Sequence, residues 1–117
     1  MIKGIGIDII EIERVREAVE KYGERFLKKI FTEKEIRYCR KHKAVRFPEL
    51  AVRFAAKEAY SKAIGTGFDG LGWKEIEIGN DSRGKPFIYL KGKLARKAHV
   101  SLSHSRDYAV AEVIVEN

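Results

Sequence analysis

A single cysteine, Cys39, excludes an internal disulfide, and no second cysteine is present to complete a metal site. Glutamine is absent and asparagine occurs only at Asn80 and Asn117, while charged residues make up 35% of the chain. That balance is common in proteins working at high temperature. No apolar run approaches the roughly 18 residues of a membrane helix, and the first residues carry no signal-peptide pattern. The expectation is a soluble, cytoplasmic chain whose one thiol stays reduced. What the sequence does contain is 117 residues, 44% of them hydrophobic, enough for one core and too few for two ordinary domains. Residues 1–117 are therefore read as a single domain. The 24 Lys and Arg against 17 Asp and Glu leave a formal charge of +7, which favours an anionic partner of some kind.

Ile5, Ile7 and Ile9 alternate with Gly4, Gly6 and Asp8, the period of a strand over residues 2–10 with one buried face. Asp8 shares its face with two glycines. Helical patterning over 11–29 breaks at Tyr22-Gly23, predicting two short helices. Thr32 with Glu35 forms a capping-box pattern, and Phe31 with Ile36 a hydrophobic staple, so a third helix starts near Glu33. Residues 42–48 read as a basic linker, with Pro48 at a helix start. The longest helix is expected over 48–64, rich in alanine and ended by Gly65-Thr66-Gly67. Strands at 74–79 and 86–90 flank the turn-rich 80–85, a short helix is expected over 93–98, and strands at 99–105 and 108–115 form a second hairpin. The order predicts an α+β fold, a mainly antiparallel sheet packed with a long central helix.

Phe54, Glu58 and Lys62 recur every four residues along one stripe of that helix, with Arg53 and Lys57 on an adjacent one. Taken alone, Glu58 and Lys62 read as an exposed ion pair worth about 0.2–0.5 kcal/mol. Asp8 alone reads as a helix cap. The functional alternative brings Asp8, on a face cleared by Gly4 and Gly6, against Glu58 where strand meets helix. Two close carboxylates need a cation between them, and hard oxygen donors suit magnesium, which takes one or two protein carboxylates and keeps other positions for phosphate and water. Ser101-Leu102-Ser103-His104-Ser105 invites a serine-hydrolase reading, but neighbours on a strand face opposite ways and no nucleophile elbow is present. His104 beside hydroxyls fits anion or ribose contacts better, and a hairpin with satisfied polar groups remains open.

Three segments carry a resemblance: Gly4-Ile5-Gly6-Ile7-Asp8-Ile9, Arg53-Phe54-Ala55-Ala56-Lys57-Glu58-Ala59 with Lys62, and Ser101-Leu102-Ser103-His104-Ser105. In these motifs the chain resembles the short bacterial holo-acyl-carrier-protein synthases of the 4′-phosphopantetheinyl transferase superfamily. Phe31-Thr32-Glu33-Lys34-Glu35 and Gly84-Lys85-Pro86 match as well. The resemblance implies transfer of 4′-phosphopantetheine from coenzyme A to a serine of apo acyl carrier protein, releasing adenosine 3′,5′-bisphosphate and supporting fatty acid biosynthesis. It implies Mg2+ on Asp8 and Glu58, and Lys62 as the third catalytic residue. Arg53, Lys57 and Lys62 would face coenzyme A phosphates, with Lys85, Pro86, Ser103 and His104 near the nucleotide. The proton acceptor is left open between a water on the ion and Glu58 itself. Arg14, Arg25 and Lys29, with Phe26 as an apolar contact, match the family's docking side for the acidic carrier protein. A homotrimer with active sites between subunits is also implied. Contacts within 66–73 stay open.

The competing reading is a small nucleic-acid-binding module, suggested by the basic stretch 37–46. No zinc finger, RNA-recognition signature or helix-turn-helix pattern supports it, and acidic residues are interspersed among the basic ones. A nucleotide-binding protein without catalysis would need the same anion contacts and no docking face. Neither nucleic acid nor membrane is expected as a partner.

Overall fold

The computed structural model describes residues 1–65 and 72–117, so Thr66 and Gly67 of the expected helix stop lie outside the described residues. Along the chain run β1 (Ile2–Glu11), α1 (Ile12–Tyr22), α2 (Glu24–Ile30), α3 (Glu33–Cys39), β2 (Arg40–Lys41), β3 (Ala44–Val45) and α4 (Phe47–Ile64). After a 3-10 turn at Trp73–Glu75 come β4 (Ile76–Asn80), β5 (Pro86–Leu90), β6 (Lys93–Leu94), β7 (Ala98–His104) and β8 (Tyr108–Glu116). The fold is α+β and its strand pairs are antiparallel. The expected sheet is divided, among the described residues, into β1-β8-β7, β4-β5-β6 and the small β2-β3 pair.

The alternation in β1 buries the face opposite to the one a hydrophobic count would choose. Ile5, Ile7 and Ile9 are 58%, 56% and 64% exposed, whereas Gly6 is buried against α4. The reason is close approach. A Cβ on Gly4 would stand 1.9 Å from the carbonyl oxygen of Ala63, and one on Gly6 1.9 Å from that of Ala59. The alanines of α4 complete the fit: Ala51, Ala55, Ala56 and Ala59 are fully buried. Ala111 and Val113 of β8 lie beside Asp8 and Gly6 in register and are buried too. Gly6→Ala should therefore cost about 3 kcal/mol, the upper range for overpacking, because a helix backbone rather than a pliant side chain stands in the way. Urea unfolding checks this, and a destabilisation below about 0.5 kcal/mol, the scale of a surface substitution, would contradict the packing.

The capping box forms as expected. The Glu35 amide donates to Thr32 Oγ1 at 3.2 Å and the Thr32 amide to Glu35 Oε1 at 2.9 Å. The α4 stop also forms at Gly65, whose φ of 80° is the left-handed geometry of a helix C-terminus.

Two expectations are corrected. The linker at 42–48 is in fact the β2-β3 hairpin: His42, at φ 60°, reverses the chain, and the Arg46 amide closes the base on the Cys39 carbonyl at 2.6 Å. The helix at 93–98 is absent. Lys91 and Gly92, at φ 50° and 83°, form a two-residue turn that sends β6 back along β5, pairing Leu90 with Lys93 and Tyr89 with Leu94. Helix-forming side chains over 93–98 are overridden by that turn and by the bond from the Ala95 amide to the Ile88 carbonyl.

Candidate functional site

Asp8 and Glu58 converge where β1 crosses α4, and the glycine-alanine packing described above is what brings them there. The Asp8 side chain is 19% exposed. Lys62, one turn beyond Glu58, reaches across to β1 and donates to the Ile7 carbonyl at 3.0 Å and to Asp8 Oδ1 at 3.2 Å. Burial foremost, and the Asp8 charge after it, push the Glu58 carboxyl above its ordinary 4.5, while Lys62 pulls it back. Asp8 is not a helix cap: the residue at the N-cap of α1 is Glu11, whose side chain makes no capping bond.

The raised Glu58 carboxyl has a stability consequence. The folded protein holds this proton more tightly than the unfolded chain, so the contribution is complete below 4.5 and is lost as pH rises through the elevated folded value. In chelator, wild type should lose stability relative to Glu58→Gln as pH climbs through that window. Urea unfolding across a pH series reads the difference, and parallel profiles would exclude it.

A second feature is an open groove lined by Tyr38, Glu49, Val52, Asn80, Gly84, Pro86, Leu102 and His104. His104, at the end of β7, places Nε2 3.7 Å from Glu49 Oε1. Pro86 begins β5 at the end of a tight turn in which Asp81 Oδ1 accepts from the Arg83 and Lys85 amides at 2.8 and 2.9 Å. Lys85 is exposed with its ammonium 5.6 Å from the centre of the Phe87 ring, and Ser103 is exposed on β7. Sequence reasoning missed Asn80, Glu49 and Tyr38. The available signals were the lone internal asparagine of a glutamine-free chain and a glutamate four residues before Arg53.

The adjacent stripe of α4 turns inward, which corrects the reading of Lys57 and Arg53 as residues facing phosphate. Lys57 is fully buried and donates to Glu35 Oε1 at 2.7 Å, the Ile76 carbonyl at 2.6 Å and the Trp73 carbonyl at 3.0 Å. Burial lowers its pKa against the pull of Glu35. An ammonium has three protons, and all three have acceptors inside the protein. Arg53 is 1% exposed and bonds to Glu49 and Asn80.

The first two helices present a set of basic and apolar side chains. Arg14 is 75% exposed and 3.6 Å from Glu11, Arg25 and Lys29 are exposed on α2, and Phe26 is half-buried with its ring edge-on to Phe31. Among the described residues, no helix is long and apolar enough to cross a membrane.

Residues 4–113 match the family model described as the 4′-phosphopantetheinyl transferase superfamily. The chain is 46% identical to the holo-[acyl-carrier-protein] synthase of Halothermothrix orenii, covering 99% of this chain and 98% of that protein. It is 51% identical to the synthase of Chloroherpeton thalassium, with 96% of each covered. In structure it is similar to the Bacillus anthracis holo-(acyl-carrier-protein) synthase in complex with CoA (3′,5′-ADP). That match has a TM-score of 0.85 and 43% identity over 100% of this chain and 98% of that one.

Proposed function

Because the chain belongs to the 4′-phosphopantetheinyl transferase superfamily, we propose that it moves the 4′-phosphopantetheine group of coenzyme A onto a serine of apo acyl carrier protein. It is a transferase, a holo-[acyl-carrier-protein] synthase by the activity its relatives carry. The observation that carries the chemistry is the convergence of Asp8, Glu58 and Lys62 at one crossing of strand and helix. Their donor set fits magnesium. Two carboxylates supply hard oxygens, and the Glu58 carboxyl, raised first by burial and then by the Asp8 charge, sits close enough to Asp8 for a divalent ion to relieve their repulsion. Asp8 and Glu58 would hold that ion, which when bound draws charge from the pyrophosphate and makes the phosphorus a better electrophile.

Lys62, half-exposed beside Asp8, is placed to bind a phosphate oxygen and offset charge on the departing bisphosphate. The serine oxygen forms the new bond to phosphorus, the bond to the adenosine 3′,5′-bisphosphate oxygen breaks, and the serine proton must leave. Glu58, a carboxylate at the same crossing of strand and helix, is the group of this chain proposed to accept it. The groove bounded by Pro86 and His104 is the proposed seat of the nucleotide, with Lys85 and Ser103 at its margins. Arg14, Arg25 and Lys29, with Phe26, form the proposed docking side for the acidic carrier protein, where a +7 chain gains from charge complementarity.

The isoleucine row of β1 supports self-association, which we propose takes the form of a homotrimer. Ile2, Ile5, Ile7 and Ile9 form an exposed apolar strip on a sheet face, the kind of surface that a soluble protein covers with another copy of itself. A neighbouring subunit seated there would add walls to a site that one small domain leaves open. The test is direct: the protein, coenzyme A, magnesium and an apo carrier protein are incubated, and mass spectrometry seeks the phosphopantetheine adduct. No adduct on any of several carrier proteins would end the transferase proposal. Sedimentation of the same sample should show a trimer, and a fully active monomer would refute the assembly.

A further inference from the structure

Arg53 lies beneath the nucleotide groove and touches three of its lining residues. Its Nη1 donates to the Glu49 carbonyl at 3.1 Å and to Glu49 Oε2 at 3.4 Å. Its Nη2 donates to Asn80 Oδ1. Its guanidinium carbon stands 4.2 Å from the centre of the Tyr38 ring, within cation–π range. From these three the connections run on to the groove's other walls. Asn80 Nδ2 donates to the Gly84 carbonyl at 2.9 Å, and Gly84 holds a φ of 87° in the turn that presents Lys85 and Pro86. Glu49 Oε1 lies 3.7 Å from His104.

We infer that Arg53 and Asn80 are positioning residues for the nucleotide half of coenzyme A: Arg53 fixes Asn80, and Asn80 fixes the 81–85 turn that forms one wall of the groove. The inference rests on the groove being the nucleotide site. Two features favour a positioning role over direct phosphate contact. Arg53 is 1% exposed, so the side chain is enclosed. Its two terminal nitrogens are also occupied by Glu49 and Asn80, both of which line the groove. A planar guanidinium suits this duty because its fork spans two acceptors at fixed geometry, which the single ammonium of a lysine does not reproduce. Asn80 serves both sides because an amide accepts with one atom and donates with the other, whereas aspartate would keep the acceptor for Arg53 and lose the donor for Gly84.

The test uses the full-length wild type and the variants Asn80→Ala, Asn80→Asp and Arg53→Lys, with adenosine 3′,5′-bisphosphate as probe in isothermal titration. Asn80 sits partly exposed at the base of a surface turn, so its variants should fold. Each variant should bind the bisphosphate about tenfold more weakly, ~1.4 kcal/mol. The KM for coenzyme A should rise in step, more than kcat falls, and the KM for the carrier protein should move less than about twofold. The salt dependence of bisphosphate binding should keep its wild-type slope in Asn80→Ala, since no phosphate-contacting charge is removed. Asn80→Asp behaving like wild type would overturn the role of the Gly84 bond. Asn80→Ala with undiminished bisphosphate affinity would overturn the inference as a whole. A wild type that does not bind the bisphosphate would instead refute the nucleotide groove.

Discussion

Asp8→Ala and Glu58→Ala should each lower phosphopantetheine transfer by about a thousandfold or more, ~4 kcal/mol of barrier, while the chain stays folded. The size follows from the role. Removing one of two carboxylates takes away a ligand of the proposed ion and half of the charge that draws it in, and no neighbouring acid of the same pair can compensate. The fold should survive because Asp8 adds little to stability. Lys62 is 54% exposed, so its 3.2 Å pair with Asp8 is a surface-like ion pair worth about 0–1 kcal/mol. Glu58→Ala even removes a carboxylate whose ionisation burial opposes. Three measurements decide the matter together: transfer by mass spectrometry, stability by urea unfolding, and magnesium binding by calorimetry. A folded variant retaining more than about a tenth of wild-type turnover would remove the metal assignment, since a ligand should cost far more.

Lys57→Met should destabilise the protein by about 3–5 kcal/mol, a large share of the ~5–15 kcal/mol that holds a domain together. Lys57 joins α4 to α3 through Glu35 and to the β4 region through the carbonyls of Trp73 and Ile76. Glu35 in turn accepts from the Ile78 amide at 2.8 Å and from the Thr32 amide. Both side chains of the pair are fully buried. Removing the lysine leaves an uncompensated carboxylate and takes one donor from each of two interior carbonyls, and methionine fills the volume without replacing the charge or the donors. Glu35→Leu in the same chain should recover part of the stability by deleting the orphaned charge, but not all of it, because the Ile78 and Thr32 amides then have no acceptor. Urea midpoints for the single and double variants give the coupling, and a single-variant destabilisation under about 1 kcal/mol would contradict a buried pair. Activity per folded molecule adds a second answer. If it stays near wild type, Lys57 works inside the protein and not on phosphate.

Much of the fold was legible because its local signals are strong. The Thr32-Glu35 box, the break at Gly23 and the proline-to-glycine span of α4 each depend on backbone groups a few residues apart, so sequence spacing suffices to read them. The two misread segments, 42–48 and 93–98, are short and are decided by left-handed residues at His42, Lys91 and Gly92. Glycine at 92 advertises that geometry, while histidine and lysine do not. The division into separate sheets was hidden for a related reason: a strand's residues state that it pairs, not with which sheet.

The site divides in the same way. Asp8 and Glu58 could be matched in advance, since glycines on one face of a strand and alanines on a helix announce that two backbones will meet. The fate of Lys57 and Arg53 could not. They follow the same helical period as residues expected to face a ligand, and only the packing of α3 and β4 against α4 turns them inward.

By itself, then, the sequence determined the helix limits set by caps and breakers, the close approach of β1 to α4, and the motifs that place the chain in its family. The tertiary structure alone decided which face of β1 is covered and which cations are spent inside. It also decided how Asn80, Glu49 and Tyr38 gather around Arg53. The physical reason is range: caps and turns are settled by neighbours along the chain, whereas burial and pairing of a charge depend on elements dozens of residues away.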